Sequence, residues 1–537
     1  MGTARGRWVL LTTVLGSGLA MLDATVVNVA LPRIGAEFGA SFAGLQWTIN
    51  AYTLTLAGLI LLGGSLGDRF GRRRVFLIGV VWFAAASLLC GLAWNIEALI
   101  AARALQGVGG ALLTPGSLAI ISASFSGPDR AAAVGAWSGL GGVAGAIGPF
   151  VGGWLVEWSW RAVFLINVPF AIVIVVVALR HVPETRDPQA APNLDVAGTL
   201  LAVLGLGGLT WALTAAGESG PDPLVIGAAA AGIAALGLFV LVERRSPHPL
   251  VPGELFADTR FTATNLVTLL VYAAMGVVFL LLVLQLQIVA GFSPLAAGTA
   301  LLPVTALMLL FSARAGALAA RIGPRIPITA GLLVAAAGML LLLRVDADAS
   351  YVFDVLPAMM VFGLGLATMV APLTATVLDS AEDRHAGVAS GVNNAIARAA
   401  GLLAVAVVPA AVGLTGDDYT DPVAFAAGFR SAIGLSAALL AAGALLAFAL
   451  IRGPLRAAPA PSQDRAERSR TDRPRRPGPD DESTPPRTST GTTGSAPARV
   501  PGGGRLPLAA LPHCAVTGPQ LHPSTHTPDT ERGRTGT

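Results

Sequence analysis

From Trp8 to Ile451 the chain is an almost unbroken series of apolar runs, each about as long as the roughly 20 residues a helix needs to cross about 30 Å of hydrocarbon. They fall near 8–30, 46–66, 75–94, 97–122, 131–156, 161–180, 194–214, 224–242, 263–290, 295–320, 326–344, 353–378, 387–415 and 428–451, which predicts fourteen transmembrane helices. A water-soluble chain of 537 residues would divide into domains of about 100–200 residues joined by polar linkers. Here 54% of residues are hydrophobic and 12% charged, and the mean hydropathy is +0.69, so one continuous membrane domain is expected. Arg5 and Arg7 precede the first run as in a signal peptide, but that run is too long and holds Asp23, so it is expected to stay as the first span.

Arginine placement sets the orientation, because cytoplasmic loops collect positive charge. With the N-terminus inside, the inner loops carry Arg69, Arg72, Arg73, Arg74, Arg130, Arg186, Arg244, Arg245, Arg260, Arg321, Arg325 and Arg384, while the outer loops carry Glu218, Asp222, Asp346, Asp348, Asp417, Asp418 and Asp421. A multi-pass protein of the plasma membrane with both termini cytoplasmic follows, with lipid as its surroundings. After Ile451 the composition turns to Arg, Pro, Ser, Thr and Gly, which cannot bury a core, so a disordered cytoplasmic tail is expected at 452–537.

Every basic residue is Arg, which removes the phosphate-binding Lys of a P-loop and the Schiff-base Lys of pyridoxal chemistry. Cys90 and Cys514 cannot build a disulfide framework, and His181, His248, His385, His513, His522 and His526 fall in loops or tail. No metal, no cofactor, no nucleic-acid partner and no enzymatic constellation is expected.

The two ends of the membrane domain repeat one another. The segment "GSLGDRFGRRR" from Gly64 is echoed by "GALAARIGPR" from Gly316, with Ala320 where the first copy has Asp68. "DRAAAVGAWSG" from Asp129 is echoed by "DRHAGVASGVN" from Asp383, and Gly107, Gly109 and Pro115 by Gly363, Gly365 and Pro372. The expected fold is therefore all-α: a six-helix bundle over 1–180, an inserted pair of helices with flanking cytoplasmic loops over 181–260, and a second six-helix bundle over 261–451.

Four segments in this order resemble the major facilitator superfamily, and within it the fourteen-span drug:proton antiporter branch. They are "LDATVVNVALP" from Leu22, "GSLGDRFGRRRVF" from Gly64, "RALQGVGGALLTP" from Arg103 and "GVAGAIGPFVGG" from Gly142. The resemblance covers residues 1–451 and implies a proton-coupled exporter of small hydrophobic compounds, such as drugs or antibiotics, working by alternating access. It also implies that the loop with Gly64, Gly67, Asp68, Arg69, Gly71, Arg72 and Arg73 gates one access state, and that the span with Gly145, Gly148, Pro149, Gly152 and Gly153 marks exporters, although Ala144 stands where a Gly is expected. Read from chemistry alone, Arg72 to Arg74 serve equally as topology charges, and the Gly-rich span as a packing seam. A proton symporter or metabolite permease on the same fold, or a non-transporting receptor, stays open as an alternative, and a monomer is expected.

Charges inside spans are the sharper signal, each costing about 2.5–3.5 kcal/mol or more at a helix centre. Asp23, Arg103 and Arg398 are the three. By residue count Asp23 and Arg103 lie at similar depth, about 10 Å from the outer surface, with Gln106 one turn beyond Arg103. This predicts a proton-coupling pair in which Arg103 and the proton compete for Asp23, against the alternative of a static pair that fixes helix register. Arg398 has no acidic partner in view and is open either to an anionic or carbonyl-bearing substrate or to backbone carbonyls. The branch's exporters of multivalent cations add an acid in span 10; none stands there in this chain, which disfavours a doubly cationic substrate. Further substrate-cavity candidates are Asn28, Asn50, Tyr52, Gln106, Tyr272, Gln285, Asn393 and Asn394.

Overall fold

A computed structural model describes residues 3–125, 127–186, 195–246, 253–380, 386–414 and 418–452. The tail beyond 452 lies outside these residues, as do His248, Asp383, Arg384, His385 and parts of the loops around the inserted helices.

The regular structure of the described residues is helical. In chain order the first six segments are α1 (Ala4–Phe38), α2 (Phe42–Phe70), α3 (Arg72–Gly91), α4 (Ile96–Ser124), α5 (Gly127–Trp158) and α6 (Ala162–His181). Then come α7 (Val196–Ser219) and α8 (Pro223–Arg245). The last six are α9 (Thr259–Ile288), α10 (Pro294–Ile322), α11 (Arg325–Leu341), α12 (Leu356–Asp379), α13 (Ala386–Ala411) and α14 (Pro422–Leu450). Twelve helices are long and apolar enough to cross a membrane, and a thirteenth is added if the pair Phe42–Ile60 and Leu62–Phe70, bent by 49°, is one span. The described residues thus account for twelve or thirteen of the fourteen expected spans. The remaining one, α5, is a helix of 32 residues outside that set.

Local chemistry explains the ends. The Thr3 hydroxyl accepts from Gly6 N at 3.1 Å to start α1, and Gly39, at φ 58°, stops it in the left-handed region that suits glycine. The apolar run ends near residue 30, whereas the helix runs on to Phe38. Pro32 sits inside the helix, because the buried Val29, Ala30, Leu31 and Ile34 around it pack firmly enough to offset one missing backbone bond.

The repeat is visible in the packing. α1 lies along α5, and α2 and α3 lie along α4; in the same way α9 lies along α13, and α10 and α11 along α12. The contacts between the two sets of six repeat as well, α2 with α13 and α5 with α10. The inserted α7 packs on both α2 and α13, whereas α8 packs on α7 and turns most of its apolar side chains outward.

Hydrogen bonds joining the two sets of helices gather at one end. Gln287 Nε2 donates to Val29 O at 3.0 Å, Gln46 Nε2 to Val405 O at 2.5 Å, and the Tyr419 hydroxyl to Ala40 O. These residues lie near the ends of α1, α9 and α13 and the start of α2, the side where the sequence places the outer loops.

Candidate functional site

Five helices converge on Asp23, at the middle of α1. Arg103 Nη1 donates to Asp23 Oδ2 at 2.5 Å, and Gln106 Nε2 and Asn167 Nδ2 each donate to Oδ1 at 2.9 Å. The network closes on itself. Arg103 Nη1 also donates to Gln106 Oε1 at 2.7 Å and Arg103 Nε to Thr48 O at 3.0 Å, while Ser87 Oγ accepts from Gln106 and Asn167 and donates to Phe164 O. Asp23, Ser87, Gln106 and Asn167 are fully buried and Arg103 is 1% exposed. Arg103 and Gln106 reach the same carboxylate because residues three apart share a helix face.

A buried pair of this kind persists when its lone pairs and protons are satisfied, and breaking it by removing one partner costs about 3–5 kcal/mol. Three donors satisfy the Asp23 carboxylate, the Arg103 guanidinium among them. The Arg103 guanidinium also lies over the Tyr52 ring, 4.3 Å from its centroid, and the Tyr52 hydroxyl donates to Ala20 O at 3.2 Å.

Sequence reasoning placed Asp23, Arg103 and Gln106 together, and the structure brings them together. It missed Ser87 and Asn167, whose signal was a polar side chain within an otherwise apolar run. It missed Glu184 as well. Arg72, Arg73 and Arg74 open α3 at the end where a helix dipole disfavours positive charge. The Glu184 carboxylate, from the segment after α6, offsets this by accepting from Arg73 N and Arg74 N, both at 3.1 Å, while Arg73 Nη1 donates to Val182 O at 3.0 Å. Gly71, at φ 117°, sits against that carboxylate, where a side chain would collide with it. Asp68 pairs with Arg72 across the same turn at 2.8 Å. Arg69 lies beside the Phe70 ring, and Gly64 and Gly67 lie in the preceding turns of α2.

The glycine-rich stretch of α5 touches two partners. A Cβ on Gly152 would come within 2.9 Å of Val26 O on α1, and one on Gly153 within 2.6 Å of Leu295 Cα on α10. Gly148 abuts Thr25, and Pro149 lies against Gly298 of α10, while Gly145 faces Met21 at an ordinary 3.8 Å.

The cavity candidates separate into two groups. Asn393 Nδ2 donates to Asn265 Oδ1 at 3.0 Å and Thr268 Oγ1 at 2.8 Å, and Gln285 Nε2 to Val345 O at 2.9 Å, so both tie helices together. Asn28 Oδ1, Asn50 Nδ2 and Arg398 Nε are buried without a hydrogen-bond partner. Tyr272 and Asn394 lie half-buried on α9 and α13.

Residues 13–405 match the family model described as Major Facilitator Superfamily. The chain is 37% identical to the puromycin resistance protein pur8 of Streptomyces alboniger over 83% of this chain and 91% of that protein. It is 36% identical to the tetracenomycin C resistance and export protein of Streptomyces glaucescens over 75% and 76% of the two. Among solved structures, a bacterial homolog of the human lysosomal transporter Spinster shares the fold, with a TM-score of 0.59 at 17% identity, covering 83% of this chain and 97% of that one.

Proposed function

The chain belongs to the Major Facilitator Superfamily, and on that premise we propose that it is a proton-coupled exporter of small hydrophobic compounds, with Asp23 as the group that carries the proton. The observation that carries the reading is a fully buried carboxylate whose three donors come from side chains on α4 and α6. Such a group exchanges its proton only when the helices around it move, which is the property that ties proton passage to a change of access. The names of its relatives support export as the direction, since they are described as resistance and export proteins.

With the arginine-rich loops in the cytoplasm, the seam at Val29–Gln287, Gln46–Val405 and Ala40–Tyr419 closes the outer side of the plasma membrane, so the described state faces inward. The loop of Asp68, Arg72, Arg73 and Glu184 then acts at the inner face as the gate, and α5 as the bendable contact between the two bundles. The working unit is a monomer in lipid, taking protons and small molecules as its partners. One proton driven by about 150 mV supplies about 3.5 kcal/mol, enough for a gradient of roughly a few hundred-fold.

The test is uptake of tetracenomycin C into proteoliposomes with an acidic interior. Accumulation is expected in wild type and is expected to vanish when an ionophore collapses the pH difference, or with Asp23→Asn. Accumulation by Asp23→Asn at the wild-type rate would refute the assignment.

A further inference from the structure

Arg398 is the intramembrane charge that the Asp23 network does not absorb. Its height in the bundle follows from two helix registers. α9 and α13 run in the same direction, and the same numbering offset links Thr268 to Asn393, hydrogen-bonded at 2.8 Å, and Gly276 to Gly401, where a Cβ on Gly276 would meet Gly401 Cα at 3.0 Å. Tyr272, between those two points, is therefore level with Ala397 and Arg398. α2 and α13 run in opposite directions, and Gln46 donates to Val405 O, so Asn50 comes level with Gly401 and Tyr52 with Arg398.

Asp23 is taken by Arg103, and among the described residues no acidic side chain pairs with Arg398. Its Nε is buried without an acceptor, and so is Nδ2 of Asn50, on the α2 face that Gln46 turns to α13. Two donors on facing helices thus lack an acceptor at neighbouring levels. An unpaired cation in such a place is expensive, and a donor left unpaired costs its full desolvation. A ligand bearing a negative oxygen beside a flat ring relieves both costs, the oxygen meeting the two donors and the ring lying against the half-buried Tyr272.

We propose that Arg398 and Asn50 form the anchoring subsite for a small aromatic anion, a carboxylate or phenolate, held beside Tyr272. This deepens the exporter reading by naming the substrate class.

The experiment is equilibrium binding, by fluorescence anisotropy, of two xanthene dyes of similar shape, anionic fluorescein and cationic rhodamine 123, to the full chain in phosphatidylcholine nanodiscs. Fluorescein is expected to bind wild type the more tightly. Arg398→Gln should weaken fluorescein at least about tenfold, equivalent to about 1.4 kcal/mol, and leave rhodamine 123 unchanged, which also reports that the variant is folded. Arg398→Lys should restore part of the loss, and Asn50→Leu should weaken fluorescein selectively. Wild type binding neither dye, preferring the cation, or losing both alike in Arg398→Gln would overturn the proposal. So would loss of fluorescein binding when phosphatidylglycerol replaces part of the lipid, because the anion held there would then be a headgroup. Binding is read without a proton gradient, so this result stands or falls separately from the coupling tested in proteoliposomes.

Discussion

Replacing Asp23 by Asn strands the charge of Arg103, a side chain 1% exposed whose remaining hydrogen-bond acceptors, Thr48 O and Gln106 Oε1, are neutral. Loss of one partner from a buried pair costs about 3–5 kcal/mol. The contact with the Tyr52 ring survives, and a desolvated cation over a ring retains about 2 kcal/mol, so the lower end, about 3 kcal/mol, is expected. Arg103→Gln strands the carboxylate instead, with Gln106 and Asn167 still donating to it, and a similar loss is expected. The double variant removes both charges and leaves a network of amides, whose lost neutral hydrogen bonds are worth about 1 kcal/mol each. Thermal unfolding in detergent, followed by tryptophan fluorescence, should therefore rank wild type highest, the double variant next and both single variants lowest. The coupling between the two sites should amount to several kcal/mol. A double variant that unfolds below either single variant, with losses that simply add, would refute the buried-pair argument.

Two further predictions concern the loop and the seam. Glu184→Gln removes the anion at the start of α3 and should cost about 0.5–2 kcal/mol locally, seen as faster hydrogen exchange at Arg73 N and Arg74 N; unchanged exchange there would contradict the capping role. Gly153→Ala should destabilise by about 1–3 kcal/mol through collision with the α10 backbone, whereas Gly145→Ala should be neutral or gain up to about 1 kcal/mol; equal effects in a thermal-shift comparison would remove the seam.

The parts of this structure legible in the sequence are those where physics allows few choices. Hydrocarbon admits backbone only as helix or closed barrel, and apolar runs of about 20 residues fit the helix, so the runs could be placed by length; a charge in a span must find a partner, so Asp23 and Arg103 could be joined although 80 positions separate them. Ser87 and Asn167 were not legible because an uncharged polar side chain in a span can return its hydrogen bond to its own helix, as Thr12 does to Trp8 O; only coordinates show that these two turn to Asp23. Glu184 escaped for another reason. It caps a helix more than a hundred positions away in the chain, where no local pattern links them. Asn50 and Arg398 stood in the sequence as two cavity candidates among several; that their helices face one another is seen only where Gln46 reaches Val405 O.

Proton release on substrate binding tests the central claim most directly. If proton and substrate oppose one another at Asp23, each must weaken the other's binding by the same factor. Adding tetracenomycin C to the purified protein in weakly buffered detergent solution with a pH-indicator dye, over a series of falling starting pH, should then release protons on binding in wild type, up to about one per molecule bound, and none in Asp23→Asn. Binding without proton release in wild type, or the same release in Asp23→Asn, would contradict the account.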